Sequence, residues 1–345
     1  MKNFFDQTFD QLEATIGKMD PRAYRVEQVL RWVYRMAVDD FSLMTDMPGD
    51  IRESLSASMD LKPMSLQKSV GAADGTLKFL YRLADGELIE SVLIPEDGHN
   101  TLCISTQAGC GMGCGFCESG AQGFRRNLSQ GEILAQIVYA IRYLGDRRFL
   151  RNLVFMGMGE PLLNLGSLIP ALGVILDGRG FDFSPRRVTV STCGWVPGIR
   201  RLGRADLGVN LALSLNAADD ETRSAIMPVN RKYPLRTVMN SIRKFPRRPR
   251  QRITFEYVLI SGVNDRPEDA AMVVKLLHGI PAKVNIISYN RTSAGFSAPD
   301  YERMEWFQNL LGGSGLLATV RRSRGEDIGA ACGQLTASAA GGVDG

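Results

Sequence analysis

The chain has 345 residues, of which 44% are hydrophobic and 23% charged, with a formal net charge of +4. These are ordinary values for a folded protein; they exclude a disordered or fibrous chain and leave room for one large catalytic domain and a small accessory one. No run of 18 apolar residues occurs, so no membrane-spanning helix is expected, and the first residues lack the apolar core and small-residue cleavage site of a secretion signal, which points to the cytoplasm.

Residues 1–72 read as a small helical domain. The stretch YRVEQVLRWVYRMA sets Val26, Val29, Leu30, Val33 and Tyr34 on one stripe at helical spacing. Arg22, Arg25, Arg31 and Arg35 make the module basic, as a solvated surface or as an RNA contact. Residues 73–95 hold two alternating apolar runs around Asp85-Gly86, the pattern of a β-hairpin, here a linker. From residue 96 to 335, strand-like and helix-like segments alternate. TLCIST, NLVFM, RVTVST, VNLALSL, RITFEYVLI and KVNIIS are the candidate strands. Six such units predict an α/β fold with a parallel sheet or an incomplete barrel, whose chemistry sits where the strands end. Residues 336–345, rich in small side chains, are expected to form a flexible tail.

The chemistry-bearing motifs follow that rule. Cys110, Cys114 and Cys117 follow the first core strand with the spacing C-x3-C-x2-C, GMGEP follows the second and STCG the third. Gly109, Gly111, Gly113 and Gly115 let the cysteine loop wrap tightly. A structural zinc site takes four protein ligands, as does an ordinary cubane iron–sulfur cluster. Three thiols leave one iron of a four-iron cluster open, the arrangement that a radical S-adenosylmethionine (SAM) enzyme needs. The rival is zinc with Cys103 as fourth ligand, at a poor spacing for such a site. Cys193 reads as a small buried hydrophobe, and His99 and His278 need no role.

Longer motifs carry a resemblance. LCISTQAGCGMGCGFC, QGFRRNLSQGEI, MGMGEPLLN, RRVTVSTCGWVPGI, LSLNAADDETRSAIMPVNRKYPL, GVNDRPEDA and RGEDIGAACGQL occur in this order over nearly the whole chain. The chain resembles the RlmN/Cfr family of radical-SAM RNA adenosine methyltransferases. The resemblance implies a radical-SAM partial (β/α)6 barrel and a small N-terminal helical domain. It makes Cys110, Cys114 and Cys117 the ligands of a [4Fe-4S] cluster. Cys332 becomes the cysteine that is S-methylated, Cys103 the second catalytic cysteine, and Glu90 the acidic residue near the target base. Gly159 and Glu160 would hold the amino end of SAM. Ser191, Ser214, Leu215, Asn216 and Asn290 would make further SAM contacts. Asn216 departs from the histidine usual there, so its side-chain role is the least supported.

Adenine C2 and C8 are electron-poor carbons that simple attack on SAM cannot methylate. The resemblance implies a route using two SAM molecules per turnover. Cys332 takes a methyl group, a 5′-deoxyadenosyl radical removes a hydrogen from it, and the carbon adds to the base. Cys103 then resolves the adduct by forming a disulfide with Cys332. Cys332 lies far from the cluster motif, so a mobile loop is expected to bring it over the barrel mouth. The implied substrates are adenosine 2503 of 23S rRNA, methylated at C2, and adenosine 37 of tRNA, with a flavodoxin-type electron donor and a monomeric chain. C8 methylation of the same rRNA adenosine, another radical-SAM reaction, and a non-enzymatic zinc or iron–sulfur RNA-binding protein are the alternatives. The arginines of FRRN, FPRRPRQR and VRRSRG are candidates for RNA phosphates.

Overall fold

The computed structural model describes residues 1–336; residues 337–345, most of the expected tail, lie outside the described residues. Its centre is a ten-stranded sheet. Seven strands are parallel and neighbour one another in chain order: His99–Cys103, Leu150–Phe155, Val188–Thr192, Asn210–Ser214, Ile253–Leu259, Ala282–Ser288 and Leu317–Arg321. Helices fill the connections, as parallel pairing requires. The longest, Gln130–Leu144, starts at a capping box between Ser129 and Glu132 and stops at Gly145 in the left-handed region. It is buried on most of its faces, packed between the sheet and the N-terminal region.

Six of the parallel strands coincide with the expected ones. The seventh, Leu317–Arg321, and an antiparallel edge strand, Met64–Gly71, are additions. Both lie at the sheet's edges with most side chains exposed or half exposed, so neither carries the apolar pattern that marks a buried strand. The hairpin of Leu77–Leu83 and Leu88–Glu96 turns at Gly86 as expected. It continues directly into the core, because Leu88–Glu96 pairs antiparallel with His99–Cys103.

The N-terminal region forms three helices, Phe9–Met19, Tyr24–Tyr34 and Gly49–Ser58. The apolar stripe of the second is buried and ends at Tyr34, whose ring lies 5.0 Å from that of Phe181 in the core. Asp6 accepts from the Gly131 N–H at 2.6 Å, where the helix Gln130–Leu144 begins. The arginines here are largely neutralised: Arg25 pairs with Asp20 at 3.0 Å, Arg31 with Asp46 at 2.6 Å and Arg35 with Asp182 at 3.3 Å. Among the described residues no helix is long and apolar enough to cross a membrane.

Candidate active site

The cysteine loop is closed by a small ribbon in which Gln107–Gly109 pairs antiparallel with Phe124–Asn127. Gly109 has φ +69°, and a Cβ there would lie 1.9 Å from the Gly123 carbonyl oxygen, so only glycine lets the two arms meet. Within the loop the Cys110 N–H donates to Gly123 O at 2.9 Å and the Gly115 N–H to Ile226 O at 2.9 Å. These bonds turn Cys110, Cys114 and Cys117 toward one cavity of about 910 Å³ at the carboxyl ends of the parallel strands. Burial pushes the Cys110 thiol up to about 12, and it also raises Cys114 and Cys117; Cys117 further opposes ionisation of Cys110, and both oppose that of Cys114.

No three of the described His, Cys, Asp or Glu side chains gather tightly enough to hold a single metal ion. The three thiols border one shared space, as ligands of a single group would. Cys103 lies in the strand and lines a different cavity, so it does not complete a zinc site with them.

The second and third strand ends build the opposite wall. Gly159 has φ +96°, and a Cβ there would meet the Gln107 side chain at 2.5 Å. Glu160 is buried, its N–H donates to Gln107 Oε1 at 2.9 Å, and its carboxylate accepts from Leu162 N at 3.2 Å and Cys193 N at 2.8 Å. It therefore locks three strand ends together, and burial raises its carboxyl above the usual range. Gly159, Glu160, Ser191, Ser214, Asn216 and Asn290 all line this cavity. Leu215 lies beneath, its N–H on Glu256 O at 2.9 Å and its carbonyl on Arg223 Nε at 2.9 Å. Asn216 is in the left-handed region at φ +57°, and its amide is engaged by the Val258 N–H and by Met227 Sδ. A histidine's imidazole is thus not needed to fill that position.

Cys332 stands at a junction. It lines the larger cavity and also a second one of about 640 Å³, which contains Cys103 and Arg321. Burial pushes the Cys103 thiol up to about 12, and the Arg321 guanidinium opposes that shift; Cys332 itself is exposed. All six cysteines are free, so the expected disulfide between Cys103 and Cys332 is not a standing bond of the fold. The segment around Cys332 is strapped down: Asn290 Nδ2 donates to Cys332 O at 2.9 Å, Glu118 N to Gly333 O at 2.7 Å and Gln334 Nε2 to Arg291 O at 3.1 Å.

Glu90 is buried, paired with Lys78 Nζ at 3.2 Å and accepting from the Thr336 N–H at 3.0 Å. It lines neither cysteine cavity. Cys193 is buried as expected, yet it lines the larger cavity. His99 and His278 line neither.

Two residues escaped the sequence reading. Arg223 is fully buried and bonds Leu215 O, Asn230 Oδ1, Cys193 O and Ser214 O, bracing the cavity floor. Glu256 lines the cavity with Oε2 unpartnered. A lone arginine in a helix and a lone glutamate in a strand carry no sequence signal. The arginine clusters divide: Arg126 is neutralised by Asp85 and Glu132 and Arg324 faces Asp74, whereas Arg321 turns inward to the cysteines.

A partial parallel barrel with a three-cysteine loop and a GMGEP wall at its carboxyl end defines a radical-SAM enzyme. The Radical SAM superfamily model matches residues 104–274, and the ribosomal RNA large subunit methyltransferase N-terminal domain model matches residues 2–61. A dual-specificity RNA methyltransferase RlmN from Syntrophobacter fumaroxidans is 47% identical over 96% of this chain and 97% of its own. One from Syntrophotalea carbinolica is 48% identical over 97% of this chain and 89% of its own. The crystal structure of a radical SAM methyltransferase from Sphaerobacter thermophilus superposes with a TM-score of 0.93 at 40% identity, covering 98% of this chain and 100% of that one. The chain belongs to the RlmN family and is a radical-SAM-dependent RNA methyltransferase. Membership brings a [4Fe-4S] cluster, SAM and an RNA substrate, and sets aside the zinc and non-enzymatic readings.

Proposed function

We propose that the protein methylates C2 of adenosine 2503 in 23S rRNA and of adenosine 37 in tRNA, with Cys332 carrying the one-carbon unit. The observation that carries this reading is the position of Cys332, shared by the cavity of the cysteine trio and by the cavity of Cys103. A group that must meet SAM on one side and a resolving thiol on the other belongs at such a junction.

In this reading Cys110, Cys114 and Cys117 hold the cluster, which when bound supplies the electron that cleaves one SAM to a radical able to take hydrogen from an S-methyl group. Glu160 binds the amino end of SAM, with Ser191, Ser214, Leu215, Asn216 and Asn290 beside it. Cys332 first loses its proton and takes the methyl group of another SAM, so two are consumed per turnover. Arg321 favours the thiolate. Once the Cys332 carbon is joined to the adenine, the adduct must give up one electron, which the cluster when bound would take back, and a base must remove the ring proton. Glu90 is the candidate, and it becomes available only when the Thr336 segment lifts off it. The Cys103 thiolate then attacks the Cys332 sulfur, forming a transient disulfide as the sulfur–carbon bond breaks; the released carbon takes a proton to become the methyl group of the base, and two electrons from a reductant restore both thiols.

The helical part of residues 1–72 serves as an RNA-binding accessory domain, whereas Met64–Gly71 and the 73–95 hairpin extend the sheet of the 96–335 catalytic core. The enzyme acts as a cytoplasmic monomer with a flavodoxin-type donor. The test is nuclease digestion of rRNA and tRNA transcripts after treatment with anaerobically reconstituted enzyme, SAM and reductant. 2-Methyladenosine is expected from both; 8-methyladenosine would overturn the C2 assignment. A covalent RNA adduct should accumulate on Cys103→Ala, and clean protein would count against the cysteine pair.

A further inference from the structure

A cavity of about 670 Å³ opens at the pole of the barrel opposite the cysteines, with Arg147, Arg148, Arg151, Arg187, His99 and Ser184 in its wall. His99 begins the first parallel strand, Arg151 is second in the next, and Arg187 immediately precedes the third. Cys103, Gly157 and Ser191 stand at the far ends of the same strands. At roughly 3.3 Å per residue, the four to six residue steps between these positions put about 13–20 Å between the two poles.

The charge here is only partly neutralised. Arg148 is paired with Asp146 at 2.7 Å, Asp182 is taken by Arg35, and Glu96 faces His99 at 3.6 Å. Arg147, Arg151 and Arg187 have no carboxylate partner among the described residues. Arg187 has one long hydrogen bond, to Asn152 Oδ1 at 3.4 Å, and Arg151 extends without a side-chain partner among the described residues. Arg147 is stacked on Phe183 at 3.6 Å and fixed by the carbonyls of Phe181 at 3.1 Å and Leu150 at 2.9 Å. Burial, then the neighbouring Arg35, depresses its guanidinium to about 10, with the more distant Asp182 and Asp146 carboxylates opposing. Elsewhere in the molecule Arg25, Arg31, Arg126 and Arg324 each face a carboxylate.

We propose that this cavity binds the phosphodiester backbone of the RNA substrate and holds it at the pole away from the chemistry. Arginine forks suit phosphate oxygens, and a half-buried, prepositioned guanidinium loses little freedom on binding. The polar groups of the wall among the described residues are mostly guanidinium donors, which match anionic oxygens, and the Phe183 face is already covered by Arg147. In this proposal the contact is to backbone phosphates and positions rather than specifies. It rests on the assignment of the protein as an RNA methyltransferase and adds to it a second point of attachment remote from the methylated base.

The test uses the full-length, cluster-loaded protein and its Arg151→Glu/Arg187→Glu variant, binding unmodified 23S rRNA and tRNA transcripts across a salt series. Loss of two phosphate contacts lowers the slope of log affinity against log salt by about 1.4–1.8. A raised KM for RNA should accompany this, with iron content, SAM affinity and RNA-independent SAM cleavage unchanged. An unaltered salt slope and KM would overturn the proposal. So would a variant that binds RNA normally but no longer binds inorganic phosphate, which would make this a small-anion site. Failure of the wild type to methylate either transcript would instead strike at the substrate reading.

Discussion

Ser119, two residues after Cys117, donates from Oγ to the carbonyl of Leu335, three residues after Cys332, at 2.6 Å. The loop that carries the cysteine trio and the segment that carries the S-methylation candidate are thereby joined, although more than 200 residues separate them in sequence. The segment was expected to be a loose lid. The structure fastens it at several points instead, so its opening has a cost set by identifiable hydrogen bonds.

Ser119→Ala leaves the Leu335 carbonyl, in a buried contact, without its partner, at a cost of about 1–3 kcal/mol. Amide exchange across residues 330–336 is expected to accelerate while exchange in the parallel strands is unchanged. Equal protection in variant and wild type would show that the bond does not hold the segment.

Gly159→Ala is expected to destabilise the protein by about 2 kcal/mol or more, because the new Cβ meets Gln107 at 2.5 Å on a backbone with φ +96°. Gly173→Ala is the control. It lies exposed inside the helix Leu165–Leu176 with nothing within 4 Å, and alanine there should stabilise by roughly 0.5–1 kcal/mol. Urea denaturation of both variants separates the steric effect from a general loss of glycine flexibility.

Arg223→Met removes a buried guanidinium that bonds four acceptors. A loss of about 3 kcal/mol or more is expected, measured by the denaturation midpoint, since several carbonyls are left unpaired in the interior. Arg223→Lys should recover little, because an ammonium cannot reproduce the planar fork.

Glu256 gives a pH dependence. Burial raises its folded pKa above the usual carboxylate value, with Arg321 and Asn285 opposing. Between the unfolded and the raised folded value the native state holds more protons than the unfolded state. This group therefore makes stability fall as pH rises through that window, and its contribution levels off above. Glu256→Gln should flatten that part of the denaturation midpoint against pH. A variant curve parallel to the wild type from pH 4 to 8 would show that the carboxylate does not carry the charge cost.

Replacing Cys110, Cys114 or Cys117 singly by alanine should reduce the iron of the reconstituted protein from about four per chain to a small fraction. Cys103→Ala and Cys193→Ala should retain it. Iron and sulfide assays with the visible absorption spectrum decide the matter, and loss of iron on Cys193→Ala would enlarge the ligand set.

Local pattern made most of the architecture legible. Six core strands, the Asp85-Gly86 turn and the helix at Gln130–Leu144 follow from apolar periodicity, turn residues and caps, which act over a few neighbours. The strands Met64–Gly71 and Leu317–Arg321 escaped because sheet-edge residues bury little and leave no pattern. Charge was the poorest guide. Arg25, Arg31 and Arg126 looked available to RNA but are matched by acids distant in the chain or across a turn, while the unmatched Arg151 and Arg187 drew no notice.

By itself the sequence determined the local units of this protein: the three-thiol loop with the glycines that let it wrap, the strand–helix alternation that makes a parallel barrel, and the motifs that carry its family. Those depend on residue type and spacing, and both are written in the chain. Only the tertiary structure decided that Cys332 borders the cavities of both the cysteine trio and Cys103, that Glu90 is closed off by the Thr336 segment, and which arginines keep their charge. Those are relations between residues remote in sequence. They depend on distance in space, where a single hydrogen bond or carboxylate from another element settles what a side chain is free to do.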